Sequence, residues 1–249
     1  MVRGSSRNLL LNLQSKLTTP RRLRSVVPGL LLAAALATTA LAATAGALEP
    51  FAAEYRASYM GLSASGSMTL EPQGSERWKY SLKVTHPIAQ LTQITLFEDA
   101  KGQWRPLSGS DISLLLTKEI RRHAVYDWAV GQARWSGDVK PERAGPVALQ
   151  PGDVDGLLMN LVLVRDVAAG RPLRYRLVDE GRAKPMEFTV SGLETITIGG
   201  QPRQATKVVN VSGHREMLVW VVEGLPLPAR LLQRKNGKDE IDLRITSVR

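Results

Sequence analysis

Most of this chain alternates apolar and polar residues with period two, and that pattern constrains its fold more than any other feature. In FAAEYRASY, Phe51, Ala53, Tyr55, Ala57 and Tyr59 fall on one face, while Glu54, Arg56 and Ser58 fall on the other. Successive side chains of a strand point to opposite sides of a sheet, so the stretch predicts a half-buried strand. Leu62, Ala64, Gly66, Met68 and Leu70 repeat the pattern, EPQGS supplies a turn, and Trp78, Tyr80, Leu82 and Val84 repeat it again. Three such runs in succession predict an antiparallel meander.

The rhythm continues. ITLFEDAKGQWRPL predicts two strands about Lys101-Gly102, and EIRRHAVYDWAVGQARW a further pair. From residue 171 the runs PLRYRLVD, PMEFTV, ETITI, QPRQATKVVNV, REMLVWVV, ARLLQRK and KDEIDLRI follow closely. Asn236-Gly237 is a strong hairpin signal, because a type I′ turn needs positive φ at both central positions; Gly199-Gly200 makes a similar claim.

One segment departs from period two. In PGDVDGLLMNLVLVRDVAAG, Leu157, Leu161, Val164 and Ala168 form a stripe with Leu158, Val162 and Arg165 beside it, and Gly170 and Pro172 close it. This predicts a buried helix over 153–169, about four turns long, capped by Asp153 or Asp155. The aperiodic DVKPERAGPVALQ before it reads as a surface connection. About fourteen strands and one helix predict a mainly β fold: a strongly curved antiparallel sheet, an open barrel or two layers, packed against one α-helix in a single domain over 48–249.

Residues 1–47 read as a cleavable signal peptide. Six basic residues precede LLLAAALATTALAATAGA, which carries no charge, and Ala45-Gly46-Ala47 fits a signal-peptidase site. PRRLRSVV contains twin arginines without the apolar residues expected after them, so the ordinary secretory route is expected, with a periplasmic destination. The chain has no cysteine, hence neither a disulfide nor a lipoprotein anchor. The formal charge of +10 shrinks on inspection. Residues 1–47 hold six of the 33 Lys and Arg and none of the 23 Asp and Glu, so the remainder carries 27 against 23, a net of +4. A solvated surface is expected rather than a nucleic-acid footprint.

Catalytic motifs are sparse. Asp153 and Asp155 flank Val154 like the start of a calcium loop, but Val164 stands where the twelfth-position glutamate belongs. His86, His123 and His214 are dispersed, so no metal is expected. Gly61-Leu62-Ser63-Ala64-Ser65 lacks the second glycine of a nucleophile elbow, and there is no phosphate-cradling glycine loop. No cofactor and no catalytic residue is assigned, and a non-enzymatic protein is expected. A hydrolase using Asp127 and Glu119 is the minor alternative.

RRHAVYDWAVGQARW, 121–135, gathers a histidine, an aspartate and several aromatics. Arg122, Ala124, Tyr126 and Trp128 alternate with Arg121, His123, Val125 and Asp127, so a hairpin with aromatic cross-strand contacts is expected. On a strand His123 and Asp127 stand about 13 Å apart, too far to act as a general-base pair.

Several features together resemble the bacterial periplasmic domain-of-unknown-function family 3108. They are Tyr59-Met60-Gly61, Val125-Tyr126-Asp127-Trp128, the helix start near Asp153-Val154-Asp155, and the closing Trp220, Leu225-Pro226-Leu227-Pro228-Ala229-Arg230, Asn236-Gly237 and Ile241. Tyr126 stands where phenylalanine is expected. The resemblance implies an exported, antiparallel β-rich protein, with no activity or catalytic residues to carry over. The expected function is binding of an apolar or amphipathic ligand such as a lipid, with Tyr126, Trp128, Trp135 and Trp220 as candidate ligand-binding residues. The alternative is an assembly factor that docks another envelope protein by strand-edge pairing.

Overall fold

The computed structural model describes residues 48–59 and 61–249; the expected signal peptide lies outside them. Thirteen strands form one open antiparallel sheet. In chain order these are β1 (Phe51–Tyr59), β2 (Leu62–Pro72), β3 (Arg77–His86), β4 (Ala89–Ala100), β5 (Gln103–Leu115), β6 (Lys118–Asp127), β7 (Gln132–Gly137) and the short β8 (Val147–Ala148). After an excursion come β12 (Thr189–Ile198), β13 (Gln201–Ser212), β14 (Arg215–Val221), β15 (Arg230–Lys235) and β16 (Lys238–Val248). Their spatial order is β12-β13-β14-β15-β16-β1-β2-β3-β4-β5-β6-β7-β8. The closing strand β16 pairs with the opening strand β1, joining two meanders.

The excursion is β9 (Asp153–Val154), α1 (Leu158–Ala168), β10 (Arg174–Asp179) and β11 (Arg182–Glu187). β11 pairs antiparallel and β9 parallel with β10, giving a second, three-stranded sheet.

The fold is therefore the expected mainly β one with a single large antiparallel sheet and one helix. Its curl is visible in one approach. β12 and β16 are separated by three strands, about 19 Å in a flat sheet. A Cβ on Gly199, at the end of β12, would nevertheless stand 3.6 Å from the carbonyl oxygen of Thr246 in β16.

Alternation builds the core as expected. Phe51, Ala53, Tyr55 and Ala57 of β1 are buried, as are Met68 and Leu70 of β2, Tyr80 and Leu82 of β3, and Leu243 and Ile245 of β16, while in β15 the adjacent Leu231 and Leu232 are both buried, one on each face. They form one cluster with α1, in which every residue from Leu158 to Val164 is buried. The Tyr55 hydroxyl donates to the Pro228 carbonyl at 2.7 Å, satisfying an O–H that burial would otherwise make costly.

Two expectations change. The helix starts at Leu158, not Asp153, and has eleven residues. Asp155 is the capping residue, its carboxylate accepting the Leu158 N–H at 2.7 Å. Asp153 lies instead in β9, fully buried, where it accepts the Gln150 N–H and pairs with Arg176. That ion pair holds the segment extended beside β10 and delays the helix. PMEFTV is also not one strand. Phe188 is buried and donates its N–H to Leu173, so β11 ends before it and β12 begins after it in the other sheet.

The hairpins follow the turn chemistry. Lys101-Gly102, Gly199-Gly200 and Asn236-Gly237 all have both residues at positive φ. Gly137, at the end of β7 with φ of 86°, is more tightly constrained, because a Cβ there would run into the Arg121 carbonyl. Gly61 has a similar φ of 83° but open space around it. Gly61→Ala should cost about 1 kcal/mol, the left-handed penalty alone. Gly137→Ala should cost about 2 kcal/mol or more, because the backbone must also shift. Urea unfolding of both variants checks the ranking, and equal midpoints would contradict it.

Candidate functional site

Two concavities open on the inward face of the sheet, and they differ in chemistry. The first is a small polar cleft of about 60 Å³ between β4–β7 and the excursion, lined by Thr95, Asp111, Arg122, Tyr126, Trp135, Asp155 and Asp179 among others. Asp155 enters from the turn before α1, where the chain must bring a carboxylate to the helix start. Its second oxygen accepts the Thr95 hydroxyl of β4 at 2.6 Å. One buried group thus ties the helix N-terminus to the sheet. Asp179, at the end of β10, accepts the Glu180 N–H at 2.8 Å.

Burial pushes both carboxyls up. Asp155 rises to about 6, with the Thr95 and Leu158 hydrogen bonds holding it down, and Asp179 rises to about 7, with the neighbouring Asp155 adding repulsion. Burial likewise raises Asp111, opposed by Arg122. A space of about 60 Å³ fits a few water molecules and no sugar ring. The cleft is therefore read as a polar joint between helix and sheet.

The second concavity is larger, about 320 Å³, and apolar. It lies at the end of the sheet where the β1–β2, β3–β4 and β5–β6 hairpins turn. Its walls come from Ala57, Leu62, Ala64, Val84, Leu91, Leu114, Ile120, Ile241 and Leu243, with His86, Gln90, Ser113 and Lys118 as polar members. The inward row of β1 explains its position. Phe51, Ala53, Tyr55 and Ala57 of that row belong to the core cluster that includes α1, and from Ala57, which the two share, the row continues through Tyr59 into the cavity, which no α1 residue lines. Paired small residues, Ala57 opposite Ala64, leave the space unfilled. Tyr59, Leu62, Ile88, Leu115 and Leu116 are exposed around these hairpin tips and give the opening an apolar lip. The Leu116 N–H donates to Ile88 at 2.8 Å, joining two of the tips.

The candidate aromatics do not converge on this cavity. Tyr126 and Trp135 line the polar cleft, packed edge to face with centroids 6.0 Å apart, and the Tyr126 hydroxyl donates to Val178. The Trp135 Nε1 is buried without a partner. Trp128 donates to the Pro106 carbonyl at 2.7 Å beneath Arg105. Trp220 is buried in the core, donates to Glu194, and has Arg230 and Lys207 against its ring. Trp128 and Trp220 line neither concavity.

The hairpin at 121–135 pairs as expected, with Val125 opposite Arg134 and Asp127 opposite Gln132. His123 and Asp127 both project outward, and the Asp127 carboxylate is engaged by the Ala129 and Val130 N–H groups of the turn. Glu119 pairs with Arg121. Glu119 and Asp127 stand eight residues apart on the same unbroken strand, about 26 Å. Glycoside chemistry needs carboxyls within about 10 Å, so this pair cannot serve one scissile bond. The group that sequence reasoning missed is the cavity wall. A signal for it existed in Leu114-Leu115-Leu116, three apolar residues where a hairpin tip normally carries polar ones.

No protein-family model matches the chain, and no curated protein matches it. Solved structures similar to it include the complex of Pseudomonas aeruginosa MucA/MucB, with a TM-score of 0.38 at 9% identity, covering 80% of this chain and 51% of that one. A crystal structure of MucB gives a TM-score of 0.30 at 9% identity, covering 80% and 52%. The chain spans about half the length of these proteins.

The raised carboxyls have a consequence for stability. Because folding raises Asp155 and Asp179 above the ordinary 3.8, the folded state holds these protons more tightly than the unfolded chain. Their stabilising contribution is complete below about pH 4 and is lost as pH rises through 6 to 7. Asp179→Asn keeps an acceptor for Glu180 and removes the charge. It should be more stable than wild type at pH 8, on the order of 2 kcal/mol, with the advantage vanishing by pH 4. Thermal melts of both proteins from pH 4 to 8 check this, and a difference that does not change with pH would refute it.

Proposed function

We propose that this protein is a periplasmic, non-enzymatic binder of an amphipathic ligand, held in the apolar cavity between the β1–β2, β3–β4 and β5–β6 hairpins. The observation that carries the reading is the cavity itself: about 320 Å³, lined mainly by aliphatic side chains and left open where α1 stops covering the inward face. Ligand sites are typically concave, mostly apolar and furnished with a few polar groups, and this one has that composition. The signal-like sequence of residues 1–47 supports a periplasmic setting. Among the described residues no helix is long and apolar enough to cross a membrane.

Docking of an envelope protein is a second reading, favoured by the β12 edge. That strand ends the sheet and leaves Val190 and Leu193 exposed. An exposed edge offers unpaired backbone groups to an incoming strand. Crosslinking from β12 in the native host would distinguish this reading by trapping one reproducible protein partner.

The ligand reading predicts that protein purified from the periplasm carries a small apolar molecule in native mass spectrometry and binds a fluorescent fatty-acid probe. Ala64→Phe should fill the cavity and weaken the probe at least tenfold while the protein remains folded by circular dichroism. Wild-type protein that is empty and ignores the probe would overturn it.

A further inference from the structure

Resting on the reading of the cavity as a ligand site, the charge around it points to the class of ligand. Seventeen residues line the cavity, and they include one lysine, one histidine and no aspartate or glutamate. Lys118 is the first residue of β6, exposed beside the β5–β6 tip, and among the described residues it makes no ion pair. Its neighbour Glu119 is turned to the other side of the strand, against Arg121. His86, closing β3 at the adjacent tip, accepts the Ile88 N–H on Nδ1, so its neutral ring carries the proton on Nε2.

We propose that the cavity takes a single-chain amphiphile with an anionic head, its chain lying among Leu62, Val84, Leu91, Ile120 and Leu243 and its head paired with Lys118. The reasons are three. A lysine can lay its aliphatic stem along an apolar wall and keep the ammonium at the opening, which places the cation where the head of a buried chain emerges. The low-dielectric wall strengthens the attraction of that ammonium for an anion over its value in open water. The cavity's size, about 320 Å³, lies near the lower end of the roughly 300–1,000 Å³ range of ligand sites, room for one acyl chain and not for two. The His86 Nε2–H is a further donor in the lining for the same head.

Carboxylates and phosphate monoesters share this head chemistry, so both are tested. Full-length mature protein, freed of bound lipid, is titrated with oleate, 1-oleoyl-lysophosphatidate, oleyl alcohol and oleylamine, for wild type, Lys118→Met and Lys118→Glu. Wild type should bind an anionic amphiphile about twofold to fivefold tighter than oleyl alcohol, the gain expected of a partly exposed ion pair. Lys118→Met should erase that preference and leave the alcohol unchanged, and Lys118→Glu should turn the preference toward oleylamine. Whether oleate or the lysophosphatidate binds tighter assigns the head to one chemistry, and in either case the gain requires Lys118. If all four bind alike, or the preference survives in Lys118→Met, the anionic assignment is overturned while the cavity reading stands. If folded wild-type protein binds none of them, both fall together. Lys118 is exposed and its replacements suit a strand, so melting temperatures should match wild type and separate a binding defect from misfolding.

Discussion

One face of a thirteen-stranded sheet has to leave water, and the chain supplies one eleven-residue helix to cover it. The helix is about 16 Å long, whereas thirteen strands laid flat extend about 60 Å. Curling is the available solution, and the approach of Gly199 to Thr246 shows it. The sheet buries its own inward residues against one another, against α1 and against Val154, Leu177 and Met186 of the excursion strands, which explains why α1 is buried on all sides from Leu158 to Val164, with Asn160 the one polar residue among them. Cover this limited has an end. At the hairpin tips beyond α1 the inward rows of β1, β2 and β4–β6 continue without a partner, and the apolar cavity is the remainder.

The polar residues in the interior hold this arrangement in register. Asp155 joins α1 to Thr95 of β4, Asp153 joins β9 to Arg176 of β10, and Tyr55 joins β1 to the segment before β15 through Pro228. Each is buried, so each carries a desolvation cost that only its partner offsets, and shifting the helix or a strand would leave it unpaired. Asp179 is the exception in kind. It is placed close to Asp155 without a cation to match, so it is the group whose charge the fold accommodates least.

Local pattern made most of the strands legible. Alternation located β1 to β3, the Lys101-Gly102 and Asn236-Gly237 pairs located their hairpins, and Asp155 was visible as a helix cap. Two errors have one source. The helix start and the break at Phe188 were each decided by a partner far away in sequence: Arg176 for Asp153 and Leu173 for Phe188. The tryptophans looked like ligand groups because they are large and amphipathic. Trp220 in fact spends its N–H on Glu194 and its ring on Arg230, which the sequence separation conceals.

By itself, the sequence determined what repeats over two to four residues: the strands, the turns, the buried helix and the lack of any adjacent catalytic constellation. Those follow from side-chain direction and backbone sterics, which act between near neighbours. Only the tertiary structure decided that β16 returns to β1, that Ala57 stands opposite Ala64 with nothing to fill the gap, and that Lys118 remains at the opening without a carboxylate. A cavity is a property of what fails to meet across the sheet, and no run of consecutive residues records it.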